Sequence, residues 1–230
     1  KLDIPGIEVI IPSDKKINYR NKLEFTFSNK MWLTEAEIKS GNEFPDRNAL
    51  GFHIPKMFDK VLDIKTCHLQ DDPSNAIRLA IKKYGIENKL DFFDIREQQG
   101  LLRNLIIRNT SIGEIMVIVV FYLNEEEEIK KLLDHLVSTF PKITSLMYIV
   151  NPKKNDTISD LGVQLFHGRD HIVEEMEGLK FRIGPKSFFQ TNSKQAYELY
   201  KIVRAYAGLT GNEIVYDLYT GTGTIANFIA

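Results

Sequence analysis

A short apolar run that ends on an aspartate and passes straight into a glycine turn, Ile214 to Asp217 followed by LYTGTGTIA, constrains this chain more than any other feature. In doubly wound α/β folds a ligand sits beyond the carboxyl end of the first strand. Glycines there let the backbone approach it, and a helix N-terminus offers unpaired amides. EIVYDLYTGTGT fits that arrangement as strand, turn and helix start. An ordinary turn after a strand has the same grammar, and two cofactor classes use it. Gly221, Gly223 and Ala226 meet the G-x-G-x-x-G/A spacing of a dinucleotide fold. Asp217, Gly221 and Gly223 also meet a D-x-x-x-G-x-G pattern, which suits S-adenosylmethionine. Asp217 discriminates, because a carboxylate beside the turn repels a pyrophosphate but tolerates a sulfonium and an amino group.

Upstream the pattern is different. Leu23, Phe25 and Phe27 alternate with Lys22, Glu24 and Thr26, the period of a half-buried strand. Gly41, Pro45, Asp46 and Asn48 mark turns before a strand over Leu50–Ile54, and IKT ahead of Cys67 reads as strand. Asp72-Pro73-Ser74 opens a helix with Ala76, Ile77, Ala80, Ile81 and Tyr84 on one face, closed by Gly85. LLRNLIIRNT and EIMVIVVFYL form an antiparallel pair about SIG. EEEEIKKLLDHLVSTF is a helix with its acidic cluster in the first turn and Ile129, Leu132, Leu133 and Leu136 inward. SLMYIV, QLFHG, HIVEEM and LKFRIG add short strands. After SFFQTN comes a helix whose Ala196, Leu199, Tyr200, Val203 and Tyr206 share a face and which Gly208 or Gly211 ends. The expected fold is an antiparallel α+β central domain over residues 1–182. The start of a Rossmann-like α/β nucleotide-binding domain is expected over residues 183–230.

Composition narrows the function classes. With 230 residues, 43% hydrophobic, the chain can bury one large core or two modest ones. A formal net charge of -1 denies it the basic excess of a strong nucleic-acid binder, so any nucleic-acid contact must come from parts outside this chain or from local stretches, Lys15, Lys16, Arg20 and Lys22, and Lys153 with Lys154, which read equally well as ordinary solvent-facing positions. One Cys excludes an intramolecular disulfide and suits a cytoplasmic setting. No apolar run reaches the roughly 18 to 20 residues of a membrane helix, the longest being broken by Gly113 and Glu114, so no membrane partner is expected. KLDIPGIEVIIPSD carries no leader pattern or initiating Met, and the chain stops at NFIA, so it reads as a piece of a longer protein.

Phe188, Phe189, Gln190, Thr191 and Asn192 place two aromatics and two amides just ahead of the cofactor turn. Such a set suits a flat base, although paired Phe are common in cores and an Asn there is a common helix cap. The order FRIGPKSFFQTN, one long helix, then VYDLYTGTGT resembles the RNA uracil-5-methyltransferase family, and YRNKLEFTF and TCHLQ extend the likeness over nearly the whole chain. The resemblance implies S-adenosyl-L-methionine as methyl donor. It implies Gln190, Asp217, Tyr219, Gly221, Gly223 and Thr224 as cofactor-binding, with Phe188 and Gln190 at the target base. Gln190 is expected to wall the cofactor cradle opposite Asp217.

In that family carbon-5 methylation uses a Cys nucleophile and a base that follow the cofactor strands. The resemblance places no catalytic residue in this chain, which is expected to be inactive alone. Cys67 has three readings: a buried thiol, a nucleophile, or, by the resemblance, the last ligand of the 4Fe-4S cluster of many ribosomal RNA members. A cluster needs four thiolates and this chain has one. His53, His68 and His167 have no ligand spacing. RNA is the implied partner, 23S ribosomal RNA ahead of transfer RNA. A noncatalytic RNA-binding or assembly domain and a nicotinamide oxidoreductase are the competing classes.

Overall fold

The computed structural model describes Gly6 and residues 9–230, so the opening stretch read for a leader lies partly outside the described residues. Seven strands form one sheet in the order β3-β2-β1-β4-β5-β6-β7. They are β1 (Lys22–Ser28), β2 (Ala49–Ile54), β3 (Met57–Asp63), β4 (Leu102–Asn109), β5 (Ile115–Phe121), β6 (Ser145–Val150) and β7 (Gln164–Gly168). Helices α1 (Glu35–Lys39), α2 (Ser74–Glu87) and α3 (Glu126–Thr139) fall between them. A hairpin of β8 (Ile172–Met176) and β9 (Leu179–Ile183) follows, then α4 (Ser193–Ala207) and α5 (Thr224–Ile229).

Alternation along β1 and β4 gives the sheet two buried faces. On one, Leu23, Phe25, Phe27, Leu105, Ile107, Val117 and Val119 meet α2 and α3. On the other, Ile106, Met116, Ile118 and Val120 meet β8, β9, Phe189, α4 and α5. Strand β5 is buried at every position because both faces are covered, hence its unbroken apolar run. The pairing is not wholly antiparallel as expected: β5 and β6 run parallel, from Met116 opposite Ser145 to Phe121 opposite Val150. The reason is α3, which lies between them in sequence, since a parallel neighbour requires a crossover rather than a hairpin. Ile129, Leu132, Leu133 and Leu136 are the buried residues of α3, as its periodicity predicts.

Two local expectations are corrected and one helix is added. IKT is no strand; β3 ends at Asp63 and the segment to Cys67 is loop. Thr34 and Glu37 form a capping box that starts α1, a signal the sequence carried and the reading missed. Gly85 does not close its helix but lies buried within α2, which continues to Glu87. Its role is close approach: a Cβ there would stand 2.8 Å from Leu102 Cδ1 and 2.9 Å from Phe92 Cε1. Both neighbours are buried, so Gly85→Ala forces a core shift of ~1–3 kcal/mol, against a helix-propensity gain of about 1 kcal/mol. We expect a net loss of about 1 kcal/mol in urea unfolding; a gain would mean this contact yields freely.

Candidate cofactor and base site

The SFFQTN segment links β9 to α4, and the structure separates its two aromatics. Phe189 is 6% exposed and packs on Phe181 at 6.4 Å, whereas Phe188 is 74% exposed. One belongs to the core and the other faces solvent. Asn192 caps α4 by accepting from the Gln195 amide at 3.1 Å. Gln190 lines a hollow of about 340 Å³ with Ile11, Gln195, Ala196, Leu199 and Ile202.

Backbone anchors hold this segment against the sheet. Arg108 Nη2 donates to the Ser187 carbonyl at 2.7 Å, and the Asn21 amide donates to the Thr191 carbonyl at 2.7 Å. Asn21 Nδ2 donates to the Gln190 carbonyl and to Ser193 Oγ, each at 2.8 Å. Buried Glu174 accepts from Ser193 Oγ at 2.8 Å and from the Ser111 amide at 2.9 Å. Burial pushes the Arg108 guanidinium down to about 10. These anchors were missed in the sequence, because an Arg or Asn on a strand does not reveal which distant carbonyl it reaches.

The turn after Asp217 forms, but the strand before it does not. Residues 213–218 pair with no strand among the described residues, and Ile214, Tyr216 and Leu218 are exposed. A strand is made by its neighbours' hydrogen bonds, and no described residue supplies them here. The Rossmann-like expectation is therefore met by turn and helix, not by a sheet. Gly221 (φ 57) and Gly223 (φ 72) take left-handed conformations that a side chain would strain, and Gly223 is the N-cap of α5. Tyr219 has φ 61 and is fully exposed, a costly conformation for an aromatic residue.

Asp217 Oδ2 accepts from Thr220 Oγ1 at 2.9 Å and from the Ala226 amide at 3.3 Å, tying the carboxylate into the first turn of α5. Thr224 is buried, its hydroxyl 2.7 Å from that of Thr222. Helix α5 docks on α4 through Phe228, whose ring centroid lies 5.7 Å from Tyr197 and 5.8 Å from Tyr200. Asp217 lines a second hollow, of about 600 Å³, with Arg204, Gly208, Leu209, Glu213, Val215 and Ile229. The arrangement does not bring Gln190 and Asp217 into one cradle. Gln190 precedes α4, whereas the Asp217 hollow takes Arg204 and Gly208 from the far end of that helix. On α4 only Ala196 and Tyr200 are buried; Leu199 and Tyr206 are exposed.

Cys67 is 7% exposed and packs in the core against α2 and α3, while Phe189, α4 and α5 belong to the core on the opposite face. Its backbone amide and carbonyl are both held by the Asn75 side chain. No group of three potential metal ligands occurs among the described residues. A 4Fe-4S cluster does not fit this chain, whose lone thiol cannot supply four ligands. Of the basic stretch, Lys15 pairs with Asp71 at 3.8 Å, and Lys22 is held below the usual lysine range by burial and then by Arg108. Lys153 pairs with Asp160 at 2.6 Å. No helix among the described residues is long and apolar enough to cross a membrane.

No family model matches the chain. It is 58% identical over 233 residues to a Bacteroides thetaiotaomicron protein named as an uncharacterized RNA methyltransferase, covering 100% of this chain and 51% of that protein. A Porphyromonas gingivalis protein of the same name is 56% identical, with 100% and 50% covered. Among solved structures, the tRNA (uracil-54, C5)-methyltransferase of Pyrococcus abyssi, in complex with S-adenosyl-L-homocysteine, superposes with a TM-score of 0.71 at 26% identity. That match covers 96% of this chain and 48% of the other. The chain is thus similar over its whole length to proteins named as RNA methyltransferases, and it spans about half the length of the relatives it matches.

Proposed function

We propose that this chain serves an S-adenosylmethionine-dependent enzyme that methylates carbon 5 of a uridine in RNA. The observation that carries the reading is the Asp217 carboxylate seated in the Gly221-x-Gly223 turn and bonded to the Ala226 amide. A dinucleotide's pyrophosphate would need the amide this carboxylate already occupies, so the oxidoreductase reading loses its anion site. A ligand with a sulfonium and an amino group gains from the same charge, and Glu213 adds a second carboxylate to the hollow. Exposed Tyr219 offers the adenine a ring face.

The bound donor would supply an electrophilic methyl group. This chain's part is to bind: Asp217 with the glycine turn and Thr224 hold the donor, and Phe188 and Gln190, at the opposite end of α4, take the target base with a ring face and with an amide that both donates and accepts, so transfer requires the full-length protein to bring the two ends together. None of these residues is a nucleophile, and Cys67 is buried in the core away from Phe188. We therefore take the 230 residues alone to be inactive. Residues 1–182 act as the central domain and 183–230 as the first part of the methyltransferase domain. We also propose a cytoplasmic setting, which a chain with one Cys suits.

For the RNA, the match of Cys67 within TCHLQ favours 23S ribosomal RNA, whereas the Pyrococcus enzyme is a tRNA methyltransferase. The full-length protein, incubated with labelled S-adenosylmethionine and with ribosomal and transfer RNA in parallel, should yield 5-methyluridine in the ribosomal sample. Methylation at another atom or base would overturn the reaction, and product only in transfer RNA would overturn the choice of RNA.

A further inference from the structure

We propose that Arg108, seconded by Asn21, is a positioning residue that fixes where Phe188 and Gln190 are presented. The proposal rests on the methyltransferase reading for its catalytic consequence, not for its geometry. Arg108 is 5% exposed near the end of β4, faces Lys22 across the β1–β4 ladder, and makes no ion pair with a carboxylate among the described residues. A buried cation opposite another cation is an unfavourable way to fill a core, and an apolar side chain of similar length packs there at lower cost.

What the charge achieves is specific. Arg108 Nη2 reaches the Ser187 carbonyl at 2.7 Å and that of Pro185 at 3.4 Å, while its Nε has no partner. Three residues on, Asn21 holds the carbonyls of Gln190 and Thr191. Between these anchors Phe189 is packed inward, so exposed Phe188 is fixed from both sides. The central sheet therefore sets the register of the base-facing loop through backbone contacts. A displacement of about 1 Å at such a loop lowers turnover by up to ~100-fold.

The test uses the full-length protein with Arg108→Met, Arg108→Lys and Asn21→Ala. Arg103→Met serves as control: Arg103 is equally buried on the same strand, but its guanidinium holds the carbonyls of Asn151, Lys153 and Asn155 instead. We expect faster amide hydrogen exchange over residues 186–192 in Arg108→Met and Asn21→Ala, partial restoration in Arg108→Lys, and no change there in Arg103→Met. Methyl transfer should fall roughly tenfold to a hundredfold in kcat/KM for Arg108→Met and about tenfold for Asn21→Ala, in KM for RNA and in kcat. Unchanged exchange in both variants would overturn the proposal, as would an equal change in Arg103→Met or a loosened loop with normal turnover. If the wild-type protein forms no 5-methyluridine, the functional reading fails, while the exchange result still decides whether these two residues fix the loop.

Discussion

Asp217→Ala should weaken S-adenosylmethionine binding by the full-length protein about 100-fold, the equivalent of ~3 kcal/mol. Two contributions are lost together. One is attraction between the carboxylate and a cationic ligand, about 4 kcal/mol for unit charges 4 Å apart at the effective dielectric of a protein surface, part of which solvation returns. The other is the bond from the Ala226 amide, which joins the carboxylate to α5. Asp217→Asn separates them, since its carbonyl still accepts from that amide while the charge is gone. We expect Asp217→Asn to keep the circular-dichroism spectrum and melting temperature of the wild type yet to bind the donor nearly as poorly as Asp217→Ala in calorimetry. Full affinity in Asp217→Asn would show that the residue is only a helix cap, and the charge argument for the cofactor class would fall. NAD offered to the same protein should give no heat, because its phosphates meet Asp217 and Glu213.

How far the sequence revealed this arrangement depended on whether the forces were local. The α3 stripe was legible because a helix buries residues at a fixed spacing, and the β1 alternation because one strand faces two environments. The glycine turn was legible for a related reason: left-handed backbone at residues 221 and 223 requires the residue type found there. Not legible were properties that need a partner. Ile214 to Asp217 has strand composition, yet no described neighbour pairs with it, and the side chains of Ile214, Val215 and Tyr216 stay exposed. The parallel step at β6 depended on which edge of the sheet was free. The separate hollows of Gln190 and Asp217 depend on the 15-residue length of α4, which sequence proximity alone does not convert into distance. The buried arginines escaped periodicity altogether, because a charged residue at a core position reads as a break in the pattern until its carbonyl partners are known.

Arg78→Met is expected to be the most destabilising single change considered, at about 3 kcal/mol. The position lies on the inner face of α2, where Ile77 and Ile81 are also fully buried, and composition would place Arg78 outside. Its guanidinium instead crosses the core, over the Phe25 ring at 5.4 Å, and ends among carbonyls. Nη1 donates to Leu50 at 3.3 Å and to Ile64, and Nη2 to Lys65 and to Asn75 Oδ1 at 3.1 Å each. These carbonyls lie on β2 and on the loop after β3, so one side chain closes the gap between the sheet edge and α2. Methionine keeps most of the apolar volume, so the loss reports on acceptors left without a donor, each at roughly 1–3 kcal/mol when buried. For a chain of this length the loss should lower the melting temperature by roughly 6–12 °C. A second readout is independent of global unfolding. The same loop carries Cys67, tied to α2 by Asn75, which also bonds Arg78. Loosening it should expose the chain's lone thiol, so a thiol reagent that labels the wild type slowly should label Arg78→Met within minutes under native conditions. Unchanged labelling together with an unchanged melting temperature would mean that water replaces the arginine at no cost, and that the loop is held by Asn75 alone.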